Sequence, residues 1–194
     1  MKRTSALDPS VAALAGCLIG VATFSLAISA QAQVLTSGKH LSLNIALDAA
    51  QAALQSCETS GYRVSVSVVD VSGVERAYLR GDHSTIHTRE TSFKKAYTIA
   101  TLGPIFGVTT TGALTEKISK TPTGPALQSV NNILLLAGGA SLRSGDETLA
   151  AVGVGGAPGG ALDETCAMAG VAKVQDRLNK LSTQPQLVRE SGAE

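Results

Sequence analysis

The sequence predicts an α+β domain, an antiparallel sheet covered by helices, on the strength of three observations. Residues 63–80 and 133–154 each carry a hairpin pattern, and hairpins make antiparallel pairs. Stripes of apolar residues at helical spacing accompany them over residues 42–57, 88–102 and 162–181. Parallel strands would need crossover connections, which this order of elements does not supply, and no internal repeat is present.

Ser42 is placed to cap the first helix, whose small apolar face runs through Ala46, Ala49, Ala50, Ala53, Leu54 and Cys57 until Gly61 closes it. Val64, Val66 and Val68 then alternate with Ser65 and Ser67, the two-residue period of a half-buried strand. Asp70-Val-Ser-Gly73 reverses the chain and residues 75–80 form the returning arm. A second helix fits residues 88–102, with Phe93, Ala96, Tyr97 and Ala100 on one stripe and Gly103-Pro104 as its stop. A short third helix fits residues 114–119, and Thr121-Pro-Thr-Gly-Pro125 reads as a loop. Residues 133–143 and 148–154 read as two more strands joined at Ser144-Gly145-Asp146. The last helix aligns Leu162, Cys166, Ala169, Val174, Leu178 and Leu181, with Asp163 and Glu164 in its first turn and Arg177 and Lys180 in its last, complementing the helix dipole.

Met1-Lys2-Arg3 and the uncharged run from Val11 to Ala30, ending in Ala30-Gln31-Ala32, read as a cleaved secretory signal over residues 1–32. The run is long enough to span a bilayer, but Gly16, Gly20, Thr23, Ser25 and Ser29 make it a mediocre anchor. Leu14-Ala15-Gly16-Cys17 resembles a lipoprotein processing box, yet too few apolar residues precede it. A periplasmic or secreted protein with no membrane contact after cleavage is therefore expected. It comprises a polar lead (33–40), one domain (41–181) and a disordered tail (182–194). The whole chain has sixteen basic and fifteen acidic side chains, and loss of Lys2, Arg3 and Asp8 leaves fourteen of each. A neutral domain without a basic stripe excludes nucleic acid as a partner. Cys57 and Cys166 fall on apolar helix faces, where buried free thiols are expected in preference to a disulfide.

Chemistry concentrates in Gly81-Asp-His-Ser-Thr-Ile-His-Thr88, a loop between strand and helix that holds two of the three histidines. His83 and His87 lack a third ligand for a metal clasp, and His40 reads as surface. The glycine run of residues 153–160 is no phosphate cradle. Pro158 stands where a dinucleotide fingerprint needs glycine, and Asp163 and Glu164 would repel an anion at that helix start. Close backbone approach explains the glycines better. There is no Gly-x-Ser-x-Gly elbow and neither cysteine has a neighbouring histidine, so no catalytic residue is assigned and a non-enzymatic role is favoured.

Residues 80–88, Lys95-Ala-Tyr-Thr98, Leu136-Ala-Gly-Gly139, residues 152–160, Asp163-Glu-Thr-Cys-Ala167 and Ala169-Gly170 together resemble successive blocks of the GlcG/HbpS family of haem-binding proteins, over residues 41–181. The resemblance implies a profilin-like fold, homo-oligomers, and haem or a related tetrapyrrole as cofactor and partner in exported members. Two blocks depart from the family pattern: the loop before His87 has an additional histidine and no proline, and Ala140-Ser141 replaces an apolar residue and proline.

On this resemblance His87 is the candidate ligand to haem iron, since neutral imidazole is a good donor to iron. A solvent-exposed loop histidine is the plain alternative. Thr88 either caps the helix or lies near the iron, and Arg89 and Lys95 are the cations expected to pair with propionates. Phe93 and Tyr97 either stack on a porphyrin or pack in the core, and Met168 is a possible soft ligand or packing. Two other functions remain open. One is a small-molecule enzyme or accessory subunit using His87, Arg89 and Lys95 on a carboxylate-bearing substrate, and the other is an oligomeric structural module.

Overall fold

The computed structural model describes residues 40–183. The signal segment, Cys17, the polar lead up to residue 39, the tail from residue 184 and the side chain of Leu181 lie outside the described residues. In chain order the elements are α1 (Leu43–Thr59), β1 (Ser65–Asp70), β2 (Glu75–Arg80), α2 (Thr88–Phe106), α3 (Thr111–Ile118), α4 (Thr123–Gln128), β3 (Gly139–Ser144), β4 (Glu147–Gly155) and α5 (Gly160–Thr183). The strands form one sheet of order β2-β1-β4-β3 with every neighbouring pair antiparallel, which is the α+β architecture expected. Helices α1 and α5 cover one face, and α2 with α3 covers the other.

Because helices cover both faces, β1 is buried on both, against the half-buried strand that its alternation predicts. Val64, Val66 and Val68 join the core under α1 and α5. Ser65 and Ser67 face α2, where Thr88 Oγ1 lies 2.8 Å from Ser65 Oγ and Ser92 Oγ 2.9 Å from Ser67 Oγ. Thr88 and Ser92 give their own protons to the carbonyls of Thr85 and Arg89, so the strand serines are the donors of this seam. Two rows of paired hydroxyls thus let a polar strand face lie fully buried. The helix comes close enough that a Cβ on Gly153 of β4 would run into the backbone of Ser92 and Ala96, which accounts for part of the glycine run by close approach.

Several boundaries differ from expectation. Helix α2 runs through Gly103-Pro104 and ends at Gly107, whose φ of 65° makes the left-handed cap. Residues 121–125 are expected as loop, but the chain turns helical at Thr123 and makes α4, with Pro125 in a first turn that needs no intrahelical N–H. The apolar run from Ile133 becomes strand only at Gly139. Before that, Ile133 and Leu135 pack against Ile99 and Leu114, and Thr98 Oγ1 accepts the Leu134 N–H, so a helix hydroxyl stands in for a neighbouring strand. On the edge strand β3 the departure Ala140-Ser141 bridges to Thr110 and Thr109. In α5 the predicted stripe holds at Cys166, Val174 and Leu178, which are buried, but at its start Asp163 points inward and Leu162 outward.

Two locks close the interior. Cys57 and Cys166 form a disulfide with their Cα atoms 5.5 Å apart, which overturns the expectation of free thiols. The cause is the small face of α1: Ala49 and Ala53 meet Gly170, and Asp48 pairs with Arg177 at 2.7 Å, so the two helices run antiparallel in close contact and bring the cysteines together. The second lock is Lys95 Nζ on Asp163 Oδ2 at 2.6 Å, joining α2 to the start of α5. Asp163 Oδ1 also accepts the Ala157 N–H. Burial pushes the Asp163 carboxyl above its ordinary value, opposed by the Lys95 ammonium and the Ala157 and Gly156 amides.

Each lock makes a measurable prediction. Cys57→Ala with Cys166→Ala is expected to lower unfolding stability by about 2–5 kcal/mol in a denaturant melt, and an unchanged midpoint would show that the bridge contributes nothing. Lys95→Met leaves a buried carboxylate alone and is expected to cost about 3–5 kcal/mol, whereas adding Asp163→Asn, which keeps an acceptor for Ala157, recovers more than half of the loss.

Candidate functional site

The strand-to-helix loop is pegged to the sheet by two residues four apart. Ser84 and Thr88 are buried against Ser65, whose hydroxyl also lies 3.3 Å from the Tyr78 hydroxyl. Arg80 donates to the Ser84 carbonyl at 2.6 Å and to its hydroxyl at 3.2 Å. His83, in a left-handed conformation with φ 63°, turns the chain. With Ser84 and Thr88 held inward, Thr85, Ile86 and His87 are left on the outside.

There Ile86 and His87 line an open groove of about 620 Å³ together with Glu75, Arg89, Glu90 and Phe93. The groove sits where edge strand β2 passes the first turns of α2. Ile86 and Phe93 give it an apolar wall, and the Phe93 ring is backed by Tyr97 at 5.9 Å between centroids. The expectation that Phe93 and Tyr97 are either core or stacking surface resolves into a half-buried pair of which only Phe93 lines the groove.

His87 is exposed, and its Nδ1 lies 3.2 Å from Thr85 Oγ1. In the tautomer whose Nδ1–H donates to that hydroxyl, the Nε2 lone pair is the one left for a metal. Arg89 holds its guanidinium 5.4 Å above the Tyr78 ring, a cation–π contact, and 4.0 Å from Glu75 Oε2. Lys94 lies 2.6 Å from Glu90 and holds that carboxyl below its ordinary value.

The other expected ligand-binding residues are placed elsewhere. Thr88 is fully buried with its hydroxyl spent on Ser65 and Thr85, and the helix cap position belongs to His87, so Thr88 neither caps nor lines the groove. Lys95 is buried in its ion pair with Asp163, an internal carboxylate taking the place proposed for a propionate. Met168 is exposed on α5, which packs on the face of the sheet opposite α2, away from His87. His40 and His83 are exposed, and among the described residues no three His, Cys, Asp or Glu side chains gather into a metal site. Glu75 is the residue that sequence reading missed. A bulge between Val68 and Val69 sets it opposite Val69, and no periodicity announces that.

Comparison with known proteins gives a consistent answer. The family model described as haem degrading protein HbpS-like matches residues 41–172. The crystal structure of a Glu-to-Asp double mutant of HbpS from Streptomyces reticuli is 36% identical, with a TM-score of 0.65 over 71% of this chain and 89% of that one. A further HbpS crystal structure is also 36% identical, with a TM-score of 0.64 over 71% and 92%. PduOC, crystallised as a haem complex, is 21% identical with a TM-score of 0.60 over 70% and 95%, a likeness of fold. No curated protein matches the chain. The chain belongs to the HbpS-like family.

Proposed function

We propose that this HbpS-like protein is an exported tetrapyrrole-binding protein that holds haem in the groove between β2 and α2, for storage, buffering or sensing. The observation that carries the reading is an exposed imidazole beside an aromatic wall and a guanidinium in one open groove. Such a groove suits the edge of a flat macrocycle, with Ile86 and Phe93 against its face, Arg89 toward one propionate and His87 toward the iron. The bound haem supplies redox and ligand-binding chemistry, and the protein supplies position. The family's description as haem degrading and a structural neighbour crystallised with haem support the ligand class.

Export is supported by the basic and apolar start of the chain and, independently, by the buried Cys57–Cys166 bridge, since disulfides persist in oxidising compartments. No described helix is long and apolar enough to cross a membrane. Assembly into homo-oligomers belongs to the same proposal. The alternative of an enzyme using His87, Arg89 and Lys95 together loses its third member to the Asp163 ion pair.

Titration of the protein with hemin tests the reading. A shifted Soret band is expected, and His87→Ala is expected to weaken binding at least about tenfold and to change the band position, as loss of an axial ligand should. The absence of any Soret change on titration, or an identical spectrum and affinity in His87→Ala, would overturn the reading or the ligand assignment respectively.

A further inference from the structure

Among the residues that line the groove, Arg89 is the one permanent cation, and two carboxylates stand beside it. Glu90 is neutralised by Lys94 at 2.6 Å. Glu75 is paired only loosely, with Arg89 itself: its Oε2 lies 4.0 Å from the guanidinium, beyond hydrogen-bond length, and its Oε1 is buried with no hydrogen-bond partner. The nearby cations are committed elsewhere, Arg76 to Asp70 at 3.6 Å and Lys95 to Asp163. The groove therefore keeps an acidic wall whose charge competes for the one guanidinium that an anionic ligand needs.

We propose that Glu75 is the specificity-determining residue of the groove, restricting it to tetrapyrroles that bring few carboxylates to the protein. The proposal rests on the haem-binding reading above. A first carboxylate on the ligand shares Arg89 with Glu75, and this lowers its affinity. Each further carboxylate finds no unshared cation among the lining residues and meets the charge of Glu75, so the penalty grows with the number carried. Tyr78 adds to the effect, because its ring holds Arg89 beside Glu75 and leaves the guanidinium less free to swing toward the ligand.

Ferric porphyrins with two and with four carboxylates, titrated into the wild-type protein and Glu75→Gln while the Soret band is followed, test the proposal. The substitution keeps shape and acceptor but removes the charge, and circular dichroism checks that the fold is unchanged. The wild-type protein is expected to bind the two-carboxylate porphyrin more tightly. In Glu75→Gln the four-carboxylate porphyrin is expected to gain about three- to tenfold and the other about twofold, with both gains shrinking at about 1 M salt. If both porphyrins bind and their affinity ratio is the same in the variant, the proposal is overturned while the haem-binding reading stands. If neither porphyrin binds either protein, the two fall together.

Discussion

The placement of α2 on the sheet through paired hydroxyls is the constraint on which the rest of the structure depends. Ser65 and Ser67 offer a polar strand face that would cost dearly if buried alone, and Thr88 and Ser92 satisfy it at 2.8 and 2.9 Å. Gly153 admits the helix backbone at the same place. Since Thr88 is also the first residue of α2, the seam fixes where the helix begins and so which loop residues remain outside. His87 is exposed because its neighbour Thr88 is not.

The two interior locks serve the same geometry from the far side. The disulfide binds α1 to α5 over a sequence separation of 109 residues, and the Lys95–Asp163 pair binds α2 to the start of α5. A buried ion pair is an uncertain source of net stability, because desolvation offsets its attraction. Its value here is positional: Lys95 and Asp163 can satisfy one another only if α2 and α5 keep their register across the sheet. Glu164 continues the arrangement by accepting the Gly112 and Gly138 amides at 2.7 and 3.2 Å, tying α3 and the approach to β3 to the same helix start. Residues of the blocks that carry the family resemblance thus divide into two sets, one building the frame and one lining the groove.

That division bears on how ligand chemistry is read from the chain. Thr88, Arg89 and Lys95 follow His87 within eight residues, and a linear reading groups all four. On the helix they face different ways: Thr88 and Lys95, seven residues apart, lie on the buried stripe, while Arg89 and Phe93, four apart, share the groove side with Glu90. The acidic partner comes from a strand that precedes them, so the groove's charge balance is a property of two elements and not of one motif.

Apart from α4, the sequence by itself determined the element types and their order, the Ser42 cap and both hairpins, because capping, two-residue alternation and turn chemistry are local effects written within a few neighbouring residues, and its ordered blocks carried the family. It also determined that a histidine would stand where strand meets helix. Only the tertiary structure decided that the serine face of β1 is buried, that Cys57 meets Cys166, that Lys95 belongs to Asp163 and that Glu75 stands beside Arg89. Each of these joins residues from different elements, and such pairings follow from which faces pack together and how closely. Small residues such as Ala49, Gly153 and Gly170 permit that closeness without announcing their partners.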